Sequence, residues 1–341
     1  MGKADILSRR YLNRNDVFSD AVNLLEHDGK AVIKPFMLHG MNTSEEQVII
    51  TGKGGGKPKN DSYVQRFRDT VKGVFREGRQ SGAYAILGME EQTEVHYAAP
   101  VKLMLYDAVN YSNQINAIAS QHKMQGERLT SAGEFLSGIR KSDRLIPVKT
   151  MVVFFNSEPW SGPRTLHDML DMEGMTEKER ASFPNYSISI IEPAQIPDEK
   201  LELLKSDLKL VLGFIKHSKD KEKLKKYLDE HEGFRHMDKE TVLLVNEVCS
   251  TNIKVKEEEK GVIDVCKAIE DMKEDAREFG REEGGILKLI SLVCRKIAKG
   301  KTPKEISEDL EEDYTFVVQI CEAAKSCAPK YDCEEIYRRM L

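Results

Sequence analysis

A chain of 341 residues with 40% hydrophobic side chains is long enough for roughly two domains and apolar enough to bury a substantial core. Its net charge of -5 argues against a generally basic nucleic-acid coat. No apolar run approaches the roughly 18 residues a membrane-spanning helix needs, and the opening Met1-Gly2-Lys3-Ala4-Asp5 lacks the apolar core of a signal peptide. A cytoplasmic protein with no membrane partner is therefore expected.

The first predicted helix covers about 15–27 and stops at Gly29, a natural C-cap. On it Asp16, Asp20 and Asn23 fall at i, i+4 and i+7, opposite Val17, Ala21 and Leu24. That polar face suits an exposed helix as well as it suits chemistry. Residues 40–64 read as a loop. Within it, Gly52-Lys53-Gly54-Gly55-Gly56-Lys57-Pro58 resembles a phosphate-binding loop only superficially. Pro58 stands where Ser or Thr would bind magnesium and the glycine spacing is wrong, so a Walker motif is excluded. Between 52 and 80 there are eight Lys and Arg against three acids, a local excess that reads either as a solvated loop or as a surface that draws in a polyanion.

Residues 69–76 form a predicted strand, 78–82 a glycine-bounded turn and 83–90 a returning strand, which together make a hairpin. Strand alternation puts Tyr84, Ile86, Gly88, Glu90 and Gln92 on one side, so an apolar face turns acidic only at its end. A helix over 101–118 follows, with Leu103, Tyr106, Val109 and Ile115 near helical spacing to pack on the sheet. The apolar run 145–155 has the pattern of a central strand buried on both faces, and 186–191 is another strand. Mixed strands and helices give an α/β or α+β class.

A helix over 198–217 leads into a charged segment at 219–231. The very polar stretch 254–260 then marks a boundary near 256, dividing the chain into 1–255 and 256–341. Beyond it Val262, Val265, Ile269, Met272, Ala276, Phe279, Ile286, Ile290, Val293 and Ile297 fit the a and d positions of one heptad frame, broken only by Glu283. This favours a long, coiled-coil-like helix that self-associates over one lying on its own domain, although Gly280, Gly284 and Gly285 weaken a continuous rod by about 1 kcal/mol each. Thr302-Pro303-Lys304-Glu305 is a helix start with a capping box. A second helix at 314–326 completes an expected two-helix tail. Its acids, Glu305, Glu308, Asp309, Glu311, Glu312 and Asp313, repel phosphate and argue against a DNA-reading helix-turn-helix. All six cysteines lie between Cys249 and Cys333, at spacings that match neither a disulfide framework nor a zinc site, and are read as reduced, packed thiols.

Phosphodiester hydrolysis needs a hard cation to polarise phosphoryl oxygen and activate water, and carboxylates hold such ions. Asp69 and Glu90 are the candidate metal and catalytic carboxylates. Gln92 can orient water or phosphate, the backbone carbonyl of Glu91 can complete the coordination, and Asp20 can approach from the first helix. His96, just past the acidic strand, reads better as a hydrogen-bonded strand-end histidine than as a base or ligand. Tyr106, Tyr111 and Trp160 read as packing residues.

The segments Phe18-Ser19-Asp20-Ala21-Val22-Asn23, Arg66-Phe67-Arg68-Asp69, Ile86-Leu87-Gly88-Met89-Glu90-Glu91-Gln92 with the following Thr93 to Pro100, and Met104-Leu105-Tyr106-Asp107-Ala108-Val109-Asn110-Tyr111 resemble the recombination-promoting nuclease and PD-(D/E)XK nuclease-family transposase group. So do Leu145-Ile146-Pro147-Val148 and the region around Trp160. The resemblance spans about 1–235 and is most specific over 66–111. It implies a restriction-endonuclease-like mixed sheet flanked by helices, here with a C-terminal helical extension, and a magnesium- or other divalent-cation-dependent endonuclease acting on DNA in recombination or mobility. By the same resemblance Asp69 matches the first Asp of the motif, Glu90 the second acid, and Asp20 the acid of the first helix. Gln92 stands where a lysine is expected. A neutral amide cannot offset developing negative charge as an ammonium can, and Lys72 or Lys102 is expected to supply it from another element. The competing expectations are a nuclease-like fold that binds nucleic acid or protein without cutting and assembles through its C-terminal helix, and a purely structural oligomer.

Overall fold

The computed structural model describes residues 2–41, 44–49, 62–67, 69–76, 82–126, 129–255 and 261–340, with the backbone alone for 44–49 and 62–67. The chain divides into two units, 1–266 and 267–341.

The first unit begins with α1 (Lys3–Leu12) and α2 (Asn15–Glu26). Leu7, Tyr11 and Leu12 bury one side of α1, and Val17, Phe18, Ala21 and Val22 bury one side of α2. Helix α2 ends where Gly29 takes φ +79°, a left-handed conformation that glycine adopts without strain. Strand β1 (Leu38–Gly40) follows, then β2 (Ser44–Ile49) and β3 (Ser62–Phe67), which pair antiparallel as a separate ribbon. The expected loop over 40–64 thus carries strand on both flanks. Its glycine-rich centre and most of the basic stretch 52–80 lie outside the described residues.

Next come β4 (Thr70–Val74), β5 (Ala85–Gln92), α3 (Ala99–Met124), α4 (Ala132–Ser137) and β6 (Val148–Phe154). After α5 (Glu177–Ser182) and β7 (Ser189–Ile191), the strands assemble into one five-stranded mixed sheet in the order β1-β4-β5-β6-β7. The predicted hairpin forms β4 and β5, antiparallel, with Val71 opposite Gly88; β5, β6 and β7 then run parallel, with Glu90 opposite Val152. In β6 the run Met151, Val152, Val153 and Phe154 is buried on both faces, as its continuous apolar sequence requires. Alternation sends Val71, Ile86, Val148, Val152 and Phe154 to the face covered by α3, where Leu103 and Tyr111 meet them. Trp160 is buried there, edge-on to Phe154 with ring centres 5.2 Å apart. The intervening residues of β4 and β5 turn to the other face, under α1 and α2.

The helix expected over 198–217 is two pieces, α6 (Asp198–Leu201) and α7 (Leu208–His217). The break is stabilised from outside: Asp20 Oδ2 accepts the N–H groups of Lys205 (2.7 Å) and Ser206 (2.5 Å) and the Ser206 hydroxyl (2.7 Å). Helices α8 (Lys221–Glu230) and α9 (Lys239–Cys249), with the short β8 (Met237–Asp238) and β9 (Val262–Ile263), complete the unit.

In the second unit, α10 (Val265–Ile297) runs unbroken through its three glycines. Ile290 and Val293 are fully buried against Ile306 of α11 (Pro303–Leu310), Val317, Ile320 and Ala324 of α12 (Tyr314–Lys325) and Ile336 of α13 (Cys333–Met340). The tail therefore has three helices rather than the expected two. The last heptad positions of α10 are spent on this internal core, whereas Phe279 is 63% exposed. The capping box at Thr302 forms as predicted, with Thr302 N–H donating to Glu305 Oε2 at 2.8 Å. All six cysteines are free thiols.

Candidate functional site

Residues around the C-terminal end of β5 and the N-terminal end of β4 converge on a cavity of about 270 Å³, lined by Asp5, Arg9, Asp69, Glu91, Gln92, Thr93, Glu94 and Lys102. A second cavity of about 470 Å³ shares Thr93 and Glu94 with it. Asp69 sits one residue before β4. Because β4 and β5 are antiparallel with Thr70 opposite Met89, the start of one strand lies beside the end of the other, and Asp69 meets the two glutamates without any long-range reach.

Those glutamates point to opposite faces of the sheet. Glu90 turns toward α3, 1% exposed, where its Oε2 pairs with Lys102 Nζ at 2.6 Å and its Oε1 accepts the Asp69 N–H at 3.2 Å. Burial, with the Asp69 carboxylate beside it, raises the Glu90 carboxyl from its ordinary 4.5 to about 7. Lys102, one helical turn into α3, is held protonated: burial opposes its charge, but Glu90 outweighs that and raises the ammonium. Lys102 thus brings an ammonium to the strand end, on the wall of the cavity that Gln92 also lines. Lys72, the other lysine considered for this role, is buried on the opposite face and donates to the Asn13 carbonyl at 2.6 Å and to Asn15, away from the cavity.

Glu91 turns toward α1. Arg9, in the last turn of that helix, donates from Nη2 to Asp69 Oδ1 at 2.7 Å and brings Nε within 3.8 Å of Glu91 Oε1. Burial, together with the neighbouring Asp69, drives the Glu91 carboxyl up to about 9. Glu91 Oε2, Arg9 Nε and Thr70 Oγ1 are buried polar atoms with no hydrogen-bond partner among the described residues. All three belong to Asp69's chain neighbour or to the side chains packed around its carboxylate. Orphaned groups of this kind are uncommon in folded proteins, and strain, a catalytic role or a bound water or ion are the usual reasons for them.

Of the residues singled out in the sequence, Asp69, Glu90 and Gln92 come together here. Asp20 does not: it is buried and committed to the break before α7. Asn23, on the same face of α2, is likewise spent internally, accepting the Ile33 N–H at 2.8 Å. Those two positions are therefore neither solvated nor part of the cavity, whereas Asp16, on the same face, is half-exposed and pairs with Arg14 at 2.7 Å. His96 accepts the Ala98 N–H at 3.2 Å where the strand ends and does not line the cavity. Tyr111 braces the sheet, its hydroxyl accepting the Val148 N–H at 2.9 Å.

Sequence reasoning gave Glu91 only a backbone role and passed over Arg9. The signal for Arg9 was present: Ala4, Leu7, Ser8 and Tyr11 recur at helical spacing, which places Asp5 and Arg9 together, one turn apart, on another side of the same helix.

Among the described residues no three His, Cys, Asp or Glu side chains gather to hold a metal by themselves. A magnesium-like ion does not need three, because it keeps several waters and takes one or two carboxylates plus substrate phosphate oxygens. The hard oxygen donors of Asp69 and its glutamate neighbours, one of them orphaned, fit that requirement. No helix among the described residues is long and apolar enough to cross a membrane. Comparison with protein-family models, with curated proteins and with solved structures gave no match.

Proposed function

We propose that the first unit is a divalent-cation-dependent endonuclease that hydrolyses phosphodiester bonds of DNA in the cytoplasm, of the recombination-promoting nuclease and PD-(D/E)XK type. The observation that carries this reading is the convergence of Asp69, Glu90 and Lys102 at one strand end, beside an open cavity with a buried, unpartnered carboxylate oxygen. Asp69 would hold the cation, with the glutamates at the same strand end, Glu90 and Glu91, as the further oxygen donors. Such an ion supplies neutralising charge at the phosphate and lowers the pKa of water.

The chain's own groups have separable tasks in this reading. Lys102 carries the positive charge that Gln92 cannot, and its pairing with Glu90 keeps that charge at the strand end until phosphate arrives. Gln92, on the cavity wall, offers an amide that can both donate to phosphate and accept from water. Departure from a lysine at position 92 is thereby compatible with cutting, because the ammonium comes from α3.

The deciding experiment is incubation of supercoiled plasmid with the purified chain, with and without magnesium, beside Asp69→Ala and Glu90→Ala. Nicking or linearisation that needs both the cation and the two carboxylates is the expected result. No cutting by folded wild type, across divalent cations and DNA forms, would sink the enzyme reading. It would favour the second one, an oligomeric nucleic-acid- or protein-binding module, for which the exposed stretch of α10 around Phe279 speaks. Homo-oligomerisation along that stretch belongs to both readings.

A further inference from the structure

Arg9 is not accounted for by a site consisting of Asp69, Glu90 and Lys102. The charge balance around the cavity is specific. Lys102 is already matched to Glu90, so of the cations lining the cavity Arg9 is the one that pairs with the Asp69 carboxylate and also approaches Glu91. Its fit is lopsided: one contact with Asp69 is tight at 2.7 Å, while the approach to Glu91 stops at 3.8 Å, too long for a hydrogen bond. Both atoms facing each other across that gap belong to groups with an orphaned buried atom, Arg9 Nε itself and Glu91 through Oε2. A planar guanidinium spans two carboxylates without satisfying both, whereas a small dication can take one oxygen from each.

Building on the proposed cation-dependent reading, we infer that Arg9 stands in the place of the divalent cation, between the carboxylates of Asp69 and Glu91, and that on cation binding its guanidinium is released to grip a phosphate of the substrate strand. Glu91 is then a ligand through its side chain, not through its carbonyl as the sequence suggested. Arg9 is suited to both states. Its side chain is 32% exposed, so it can leave the carboxylates without crossing the core, and it stays charged at every relevant pH. Its fork of donors matches phosphate oxygens in the same bidentate way that it matches carboxylates. The exchange keeps the site near neutral in both states, with the ammonium of Lys102 unmoved.

A purely structural ion pair and a stand-in cation make opposite predictions for cation affinity. Removing a structural arginine loosens the site and weakens cation binding; removing a competitor strengthens it. The test is calorimetric titration of the full-length chain with Mn²⁺ for wild type, Arg9→Gln, Arg9→Lys, Glu91→Gln and Asp69→Asn, each checked for native circular dichroism. Expected are Mn²⁺ binding about three- to tenfold tighter in Arg9→Gln than in wild type, near-wild-type binding in Arg9→Lys, and weakened binding in Glu91→Gln and Asp69→Asn. In Ca²⁺, short duplex DNA should bind Arg9→Gln about tenfold more weakly, with the salt dependence reduced by about one unit of slope. If Arg9→Gln binds Mn²⁺ no better than wild type while Asp69→Asn loses it, the cation site stands and the role of Arg9 is overturned. Unchanged Mn²⁺ binding in Glu91→Gln overturns the assignment of Glu91, and unchanged DNA affinity in Arg9→Gln overturns the phosphate grip. Failure of wild type to bind Mn²⁺ better than Asp69→Asn removes the cation reading itself, and this inference with it.

Discussion

Replacing Glu91 by glutamine should make the cation-free protein more stable, and by an amount that depends on pH. Glu91 is buried on the α1 side of the sheet beside Asp69, and its carboxyl is raised from 4.5 to about 9. An acid with a raised folded-state pKa takes up a proton on folding at every pH between those two values. Stability contributed by this group is therefore intact below about pH 4.5 and falls as pH climbs through the window, by about 1.4 kcal/mol per unit. At pH 7 the accumulated loss is about 3 kcal/mol, a large part of the stability of an ordinary domain. Glutamine has the same shape and does not ionise. Arg9 keeps Asp69 as its partner, so the substitution strands no charge. Urea denaturation of wild type and Glu91→Gln, in chelator, at steps from pH 4.5 to 8 should give curves that meet at the acid end and separate steadily, the variant ahead by up to about 3 kcal/mol at neutral pH. Parallel curves with a constant offset, or a variant less stable at pH 8, would refute the reasoning, because either result means that Glu91 is not a buried acid reluctant to ionise. A native carboxylate that lowers stability is what a site kept for binding looks like.

Lys102→Ala should abolish plasmid cleavage while leaving Mn²⁺ binding to Asp69 in place, since the ammonium contacts Glu90 and not Asp69; unchanged cleavage would remove the compensating role assigned to this lysine. Asp20→Ala should cost about 2–4 kcal/mol in urea denaturation, because three donors at 205–206 lose one charged acceptor; a variant of wild-type stability that no longer cuts would instead return Asp20 to the catalytic set. Alanine at Gly280, Gly284 and Gly285 should stabilise the helical unit by about 1 kcal/mol for each substitution and so raise its thermal midpoint, since a Cβ at each position meets open space; a fall in the midpoint would mean that these positions face a partner closely. Phe279→Glu should shift the light-scattering mass toward monomer if the exposed stretch of α10 is a seam between copies, and an unaltered mass would discount it.

The parts of the fold that were legible were those in which one local pattern decides the outcome. Alternation in 83–92 and the apolar run at 145–155 specify a half-buried hairpin strand and a central strand; the hairpin paired as expected, and the run supplied β6, an inner strand paired on both edges. Thr302 and Glu305 specify a cap whatever surrounds them. What misled was side-chain chemistry decided at a distance. Asp20 and Asn23 lie on a polar helix face that looks solvated or functional, yet distant segments at 205–206 and 32–33 bury them both. The same Asp20 contacts explain why 198–217 breaks in two although its apolar spacing allows one helix. In the site, Asp69 and Glu90 were readable because a short hairpin fixes their separation. Glu91 was not, since alternation turns it away from Glu90, and only the helix that covers the other face of the sheet makes it part of the same cluster. That helix, α1, carries few strong signals, and Arg9 went with it.

The way charge is distributed over this site has a mechanical side. Its anions ride on β4 and β5, and β5 is hydrogen-bonded along both edges, antiparallel to one neighbour and parallel to the other. Its cations ride at the ends of flexible side chains on helices, Arg9 from one layer and Lys102 from the layer opposite. The negative half of the cluster is thus anchored in a strand paired along both edges, while the positive half is borne by two helices on opposite faces of the sheet. Occupancy should therefore register as a change in protection of amides in α1 and α3, with the strands between them keeping their exchange rates, so that hydrogen exchange can report which of the two cationic arms answers to a metal ion and which to a nucleic acid.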